Sequence, residues 1–316
     1  MAQKDKFIDF EEDEVLKAFQ KAREMNLCPN RIWAVAGENL PKLLPKSNLI
    51  PVEQDQHQSD DKNNFNDHEE GTSDFCEYSQ RDFTAVTQRH ECSHSERKTC
   101  KLTPVFPREI LDDAVNNERP TVWSLNGGSL LDYSRPYMAI SHVWADGTGT
   151  GAWKGGQVND NEYLWKFFMC IAKRFQCEGI WWDTISIPRE KATRNRALSK
   201  IQASYEDARI TLVHDQFLRS WPWDPETVCF AILISPWFSR GWTALELARS
   251  PKVKVLFKGP DGLVLKDMDE DILVEFHVDS RNNSPRQEAS RIISNLRKDI
   301  DNLNDLLNVL GPRYTS

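Results

Sequence analysis

The chain has no long apolar run, and this absence excludes two classes of protein. None of its hydrophobic stretches approaches the ~18 consecutive residues that a membrane-spanning helix needs. Residues 1–15 carry acids where a secretory signal would have its apolar core. We therefore expect a cytoplasmic protein without a membrane segment. In that compartment its seven cysteines are expected to be free thiols or metal ligands, not disulfides.

A surplus of basic residues is also missing. Lys and Arg number 40 against 48 Asp and Glu, a formal net charge of −8, so the chain as a whole does not attract nucleic acid or anionic membranes. Glycines 147, 149, 151, 155 and 156 follow an apolar run, but they form neither a Walker A motif nor a G-x-G-x-x-G that opens directly into a helix. We expect no nucleic-acid partner and no nucleotide-binding P-loop.

The composition that is present is that of a globular protein. The 316 residues are 39% hydrophobic and include 11 Trp and 15 Phe, enough to bury the core of one large domain or two small ones. An amphipathic helix is predicted at 11–27. The residue pattern divides the chain into an N-terminal helical arm (1–52), a polar loop expected to be disordered (53–75), a Cys- and His-containing connecting segment (76–134), a main domain (135–280) and a C-terminal helix (281–316).

The connecting segment contains candidate metal ligands. Cys76, His90, Cys92 and Cys100 could form a tetrahedral structural zinc site, with His94 as the alternative to His90. No C-x2-C pair is present among them, and His90-x-Cys92 is a tight spacing for two ligands of one metal. Reduced cysteines and surface histidines in a loop are therefore the alternative interpretation.

Strand-like and helix-like segments alternate through the main domain. Strands are predicted at 137–143, 179–183, 209–214 and 253–257, and helices at 162–175, 188–208, 242–248 and 285–310, with a buried element at 227–234. Such alternation predicts an α/β fold with a parallel sheet flanked by helices. Ligands in such sheets bind outside the carboxyl ends of the strands.

Acidic and aromatic residues lie where these strands end. Trp144 and Asp146 follow the first predicted strand and Asp183 ends the second, so the three are expected at one edge of the sheet. Glu246 could join them in one cleft from the short helix. Trp144 could instead pack in the core, and Asp183 could merely cap the next helix.

Glu246 is the carboxylate with the most unusual sequence surroundings. Leucines flank it on both sides and Trp242 precedes it by one helical turn, so partial desolvation is expected to raise its pKa. A buried, ionised carboxylate at this position could stabilise a developing positive charge. The alternative is an ordinary helix acid that pairs with Arg240 or Arg249.

Three blocks of the main domain resemble, in order, the signature blocks of the fungal heterokaryon incompatibility (HET) domain. They are Tyr137–Trp144, Ile180–Ile187 and Arg240–Glu246. The resemblance covers about residues 135–260 and implies an effector of fungal self/non-self recognition and regulated cell death. The chain departs from the usual family residues, which are Gly, Cys, Gln and Gln, at Ala145, Ser186, Arg189 and Leu245. None of these departures removes an acid.

The HET domain in turn resembles the TIR domain, which has a flavodoxin-like parallel sheet. Residues Ser239–Leu247 are similar to the TIR block that carries the catalytic glutamate of NAD-cleaving members, with Glu246 at that position. This resemblance implies NAD as substrate and cleavage of its nicotinamide–ribose bond, in which a carboxylate stabilises oxocarbenium charge. The residues expected to contact the substrate are Ser141, His142, Trp144, Asp146, Asp183, Arg240 and Trp242.

Two other functions remain open on the sequence. The domain could be a non-enzymatic signalling module that acts by self-association or through a protein partner, with Glu246 in a structural role. It could also be a relative of the HET fold recruited to different small-molecule chemistry. Retention of function after Glu246→Gln would favour the first alternative, and loss with folding intact would favour an enzyme.

Overall fold

The computed structural model describes residues 106–132, 134–148, 162–274 and 285–297, together with positions 16, 17, 20 and 30. The candidate zinc ligands Cys76, His90, Cys92 and Cys100 and the polar segment 53–75 lie outside the described residues. Within the predicted N-terminal helix, Leu16, Lys17 and Gln20 are helical and exposed.

The described residues form one six-stranded sheet with helices around it. The strands are β1 (Trp123–Ser124), β2 (Tyr137–His142), β3 (Gly179–Trp182), β4 (Ile210–His214), β5 (Val253–Gly259) and β6 (Gly262–Asp267). The α-helices in this part of the chain are α1 (Arg108–Asn116), α2 (Glu162–Arg174), α3 (Asp183–Ser186), α4 (Lys191–Leu198), α5 (Ile201–Glu206), α6 (Gln216–Ser220), α7 (Val228–Ile234), α8 (Gly241–Arg249) and α9 (Pro285–Leu296). None of the helices in these ranges is both long and apolar enough to cross a membrane.

The sheet has the strand order β1-β3-β2-β4-β5-β6. Its four central strands are parallel, which confirms the predicted α/β class, but β1 and β6 add antiparallel pairings at the two edges. The sheet as a whole is therefore mixed, with the predicted parallel strands at its centre. The antiparallel β6 follows from a two-residue turn between Gly259 and Gly262, since a link that short can only join antiparallel strands.

The side chains of each strand point alternately to the two faces of the sheet, so the hydrophobic core consists of two layers, one on each face. Met138 and Ile140 of β2 pack with α1 and α2 on one face. Ala139 shares a cluster with Tyr205 of α5 on the other face, where α7, α8 and α9 also pack against β4 and β5. Because successive side chains of a strand point to opposite faces, Ser141 lies on the α5 and α8 side.

The strand order reverses at β2, which positions the site. The chain adds β3 on one side of β2 and then β4 on the other. In open α/β sheets such a reversal creates a crevice at the carboxyl ends of the strands, and ligands bind there. The last residues of β2 are Ser141 and His142.

One predicted helix differs from the observed structure. The helix predicted at 188–208 is two helices, and Glu190 caps the later start of the first by accepting from the backbone N–H groups of Ala192 (3.0 Å) and Thr193 (2.8 Å). That helix ends at Leu198, and the hydroxyl of the next residue, Ser199, donates to the Arg196 carbonyl at 2.7 Å. The C-terminal helix spans Pro285–Leu296, and the predicted part beyond residue 297 lies outside the described residues.

Substitution of Gly179 should destabilise the fold. An alanine Cβ there would lie 2.6 Å from the Trp123 carbonyl and 2.9 Å from Val122 Cγ1, and would also meet Leu131. We expect Gly179→Ala to lower the free energy of unfolding by about 1–3 kcal/mol, measured by urea denaturation. In the control Gly128→Ala, the nearest atom would be 3.9 Å away, so equal losses in the two variants would contradict the packing.

Candidate functional site

The carboxyl ends of β2 and β3 bring two predicted site residues into contact. His142 ends β2 and Asp183 directly follows β3. The strands are parallel neighbours with Ile140 opposite Trp182, so both ends meet at one edge of the sheet. There, His142 Nε2 lies 2.7 Å from Asp183 Oδ1.

Glu246 reaches the same region from α8. The Ser141 hydroxyl donates a hydrogen bond to Glu246 Oε2, and Ser141 Oγ accepts one from Trp237 Nε1 at 2.6 Å. A serine hydroxyl has a single proton, so its acceptance of the indole N–H leaves that proton for the carboxylate. Since Ser141 is fully buried, this chain of bonds orients one oxygen of Glu246.

Desolvation raises the pKa of the Glu246 carboxyl group. Desolvation, assisted by the negative charge of Asp183, raises the pKa of Glu246 to about 7, against the opposing effects of Ser141, His142 and Arg240. The direction is the one expected from its apolar sequence neighbours. A pKa near 7 means that both the protonated and the ionised form are accessible at neutral pH, and the ionised state of Glu246 stays a prediction.

The Asp183 carboxylate favours the charged form of His142. Burial by itself would lower the pKa of its imidazole, but the charge and hydrogen bond of Asp183, with smaller effects of Asp146 and Glu246, raise the pKa above its usual value. The second ring nitrogen, Nδ1, lies 3.3 Å from the Val143 carbonyl oxygen. Acceptors therefore face both nitrogens, as a doubly protonated ring requires.

Asp183 is anchored through one of its two oxygens. Oδ1 faces His142 and accepts from the backbone N–H of Thr184 at 2.6 Å and from its hydroxyl at 3.2 Å. Burial alone would raise the pKa of Asp183, but His142 and the Thr184 N–H lower it below its usual value. The side chain is still 24% exposed, so an ionised, held carboxylate remains accessible to a ligand.

Arg240 and Asp146 complete a cluster of charges. Burial lowers the pKa of Arg240 although Glu246, Asp183 and Asp146 all act to raise it. Asp146 accepts from the backbone N–H of Thr148 at 2.9 Å through one oxygen and from that of Gln216 at 3.0 Å through the other. Asp146 therefore ties the turn after β2 to the start of α6.

A shallow hollow, open to solvent, lies between α5 and α8. Its lining residues are Ile201, Gln202, Tyr205, Trp242, Leu245 and Glu246. Trp242 is 39% exposed, an unusual state for a large aromatic side chain. Its cavity volume is about 10 Å³, room for about one water molecule, so the hollow is a shallow surface feature and not a preformed pocket for a ring, a sugar or a dinucleotide.

Trp144 lies beside the pair formed by His142 and Asp183. Its ring centroid is 5.8 Å from that of His142, and its side chain is only partly buried. Trp144 and Trp242 therefore lie at different parts of the site. Trp144 contacts the histidine, whereas Trp242 lines the hollow with Glu246.

Tyr205 and Trp237 belong to the site, although the sequence motifs do not identify them. The Tyr205 hydroxyl donates to the Ile140 carbonyl at 3.1 Å, and burial, Glu246 and Asp183 raise its pKa well above the usual value. Helical periodicity places Tyr205 on an apolar face, and its hydroxyl was the signal that a polar partner was needed. Trp237 carried no such signal, because its partner Ser141 is distant in sequence.

Metal binding by this region finds no support in its side chains. Within the described ranges, no three or more His, Cys, Asp or Glu residues are grouped so that they could hold a metal ion. The candidate zinc ligands lie outside these ranges, so the zinc site stays a prediction from the sequence.

The chain matches no protein-family model, no curated protein and no solved structure. What the site can do is therefore argued from its own geometry. That geometry places two partly exposed carboxyl groups, those of Glu246 and Asp183, near a histidine, an arginine and two tryptophans.

The buried carboxyl group predicts a pH-dependent effect of Glu246→Gln. Because the folded-state pKa is raised, the protonated form favours folding, and that contribution is lost as pH rises from about 4.5 through about 7. Glutamine carries no charge at any pH. We expect Glu246→Gln to stabilise the protein by about 1–3 kcal/mol at pH 8 and by much less at pH 5.

Urea denaturation at both pH values measures this difference. The matched control is Glu226→Gln, because Glu226 is exposed and its substitution should change stability by less than about 0.5 kcal/mol. A Glu246→Gln effect of equal size at pH 5 and pH 8 would show that the carboxyl group is not desolvated.

Proposed function

We propose that this chain is a HET-domain effector with a TIR/flavodoxin-like fold that cleaves NAD at the nicotinamide–ribose bond, with Glu246 as the catalytic carboxylate. The supporting observation is the position of Glu246, which is desolvated and fixed by Ser141 at the edge of the sheet where α/β proteins bind ligands. Regulated cell death and self/non-self recognition are the cellular roles that the HET resemblance implies.

The order of the parallel strands supports the proposed fold. Numbered among themselves along the chain, β2, β3, β4 and β5 lie in the order 2-1-3-4. Flavodoxin-like sheets have the order 2-1-3-4-5, and here β6 occupies the edge beside the fourth parallel strand, in antiparallel orientation. The three HET-like blocks supply the end of β2, the start of α3 and the start of α8.

The charges of the site suit a reaction that develops positive charge. When all five groups are charged, the carboxylates of Asp146, Asp183 and Glu246 exceed His142 and Arg240 by one negative charge. Departure of nicotinamide breaks the bond between C1′ of the ribose and the ring nitrogen, which takes the electron pair and becomes neutral. The oxocarbenium charge left on the sugar is stabilised by the Glu246 carboxylate.

Hydrolysis completes the proposed reaction. Water adds to C1′, a proton is released, and the products are ADP-ribose and nicotinamide. No general acid is required, because the leaving group is already cationic before the bond breaks. This feature fits a site whose reactive carboxyl group is useful in its ionised form and is oriented by a hydroxyl donor.

The exposure and hydrogen bonds of the other site residues suggest a role for each in the proposed reaction. Trp242 offers an exposed ring face beside Glu246 for stacking of the cationic nicotinamide, and the accessible Asp183 carboxylate can accept ribose hydroxyls. Ser141 is buried with its hydroxyl engaged, so we assign it to positioning Glu246 and not to substrate contact. We likewise assign Asp146 to the loop that it bridges.

A non-enzymatic, self-associating module is the second candidate. The small hollow favours it, because a cavity volume of about 10 Å³ does not hold a dinucleotide. In that case the hydrogen bond between Ser141 and Glu246 serves the packing of α8 on β2. The two candidates differ in whether the carboxylate acts on a substrate.

Incubation of the purified chain with NAD distinguishes the two candidates. We expect nicotinamide release that falls about 100-fold or more in Glu246→Gln, since loss of a fixed transition-state charge typically costs that much, and that is unchanged in Glu226→Gln. Measurement at several protein concentrations shows whether assembly completes the site. If neither dilute nor concentrated wild-type protein consumes NAD while folding is intact, the enzymatic proposal is wrong.

The reaction should also depend on pH in a defined direction. With a pKa of about 7, the ionised fraction of Glu246 rises about tenfold between pH 6 and pH 8. We expect kcat/KM for NAD to rise by about the same factor over this range and then to level off. A profile that falls with increasing pH would mean that the protonated acid is the active form.

A further inference from the structure

The C-terminal helix α9 contacts the helix that carries Glu246 through one arginine. Arg297 directly follows α9, and its Nη1 donates to the carbonyl oxygens of Leu247 and Ser250, both at 2.6 Å. Leu247 is the residue next to Glu246. The guanidinium group therefore bonds to the end of α8 one peptide away from the proposed catalytic residue.

The physical role of such a contact is well defined. The last carbonyl groups of an α-helix have no donors within the helix, and a cation at that end also interacts favourably with the helix dipole. Arg297 supplies both the donors and the charge to α8. Its other side is held by Asp269, whose oxygens accept from Nη2 at 2.6 Å and from Nε at 3.1 Å.

A second contact holds the same turn of α8 against the sheet. The Ser250 hydroxyl lies 2.6 Å from the carbonyl oxygen of Glu246 and 2.6 Å from the hydroxyl of Thr211 in β4. The main chain around Glu246 is thus fixed from the sheet by Ser250 and Thr211 and from α9 by Arg297. These contacts leave little freedom for the Glu246 backbone to shift along the helix axis.

The opposite end of α9 is anchored in a similar way. Arg286 is buried, and its Nε donates to the Pro225 carbonyl at 2.6 Å, while Nη2 donates to the carbonyls of Ile272 (3.3 Å) and Val274 (3.4 Å). Apolar side chains of α9 share the core with α7 and α8. A helix attached at both ends has a defined position, so Arg297 can transmit that position to α8.

We propose that Arg297 is a positioning residue for Glu246, so that α9, outside the three sequence blocks, determines how deeply the carboxyl group is held at the site. The inference goes beyond the proposed function and depends on it only where NAD turnover is the readout. The groups that act electrostatically on Glu246 are Asp183, His142 and Arg240, and Tyr205 lies beside it. Arg297 is not among the charges that act on it.

The decisive measurement is the titration of Glu246 in Arg297→Ala. The stability effect of Glu246→Gln grows between the unfolded-state and the folded-state pKa and levels off above the latter. The pH at which it levels off, here called the midpoint, therefore reports the pKa of the folded-state carboxyl group in each background. If Arg297 holds α8 in place, its removal gives Glu246 more water, and the midpoint falls from near 7 by about one pH unit. Arg291→Ala is the matched control, because Arg291 lies on the same helix but pairs with Glu288 on the surface.

Two milder variants keep the test decisive if Arg297→Ala does not fold. Arg297→Lys keeps the charge without the forked donors, and Asp269→Asn weakens the group that holds the guanidinium. Both should shift the midpoint in the same direction by a smaller amount. Stability loss in these variants with an unchanged midpoint would overturn the proposal, because Arg297 would then be merely structural.

Turnover of NAD separates this inference from the proposed function. If the wild-type protein cleaves NAD, Arg297→Ala should lower kcat several-fold with little change in KM above about pH 8, where Glu246 is ionised in both proteins. Arg297→Lys should restore part of the loss. If the protein does not cleave NAD but the midpoint moves, the positioning role stands and the enzymatic proposal fails. A lower kcat with an unmoved midpoint would again contradict the positioning role.

Discussion

The burial of one carboxyl group, Glu246, is the constraint on which the rest of the site depends. Placing an acid among apolar neighbours is unfavourable unless a donor faces it, and here the donor is Ser141, itself oriented by the indole of Trp237. The result is a pKa of about 7, between that of a solvated acid and that of a fully buried one. A more exposed acid would lose its interaction with a cation to water, and a drier one would rarely be ionised.

At the carboxyl ends of the strands, side chains from both faces of the sheet can interact with one another. Ser141 and His142 are consecutive and point to opposite faces, so Ser141 meets α8 while His142 contacts Trp144 and Trp182. In the middle of a strand, the sheet would separate such groups. At the strand ends, Asp183 binds His142 directly and acts electrostatically on Glu246. The topological reversal at β2 thus brings the pair and the buried acid into one electrostatic system.

The sequence predicted those features of the fold and the site that depend on the local pattern of apolar residues. Apolar runs predicted the four parallel strands, and the apolar neighbours of Glu246 indicated the direction of its pKa shift. Strand β6 was missed because its residues are half-exposed and lack a clear alternation, and the break near Ser199 depends on capping bonds inside a helical pattern. The contacts of Trp237 and Arg297 join residues 96 and 50 positions from their partners. Periodicity and spacing carry no information about such pairs.

The intermediate pKa of Glu246 also links ligand binding to proton release. Without a ligand, about half of the molecules at neutral pH hold a proton on this carboxyl group, which removes the cost of a buried charge and favours the folded state. A cation in the hollow favours the ionised form, so its binding expels that proton, and the attraction to the carboxylate offsets the desolvation of the charge. In the resting protein only part of the molecules therefore carry the cost of the buried charge, and a bound cation would compensate that cost when the group is ionised. The same carboxyl group can accordingly be tolerated in the resting protein and act as a charged group during the proposed reaction.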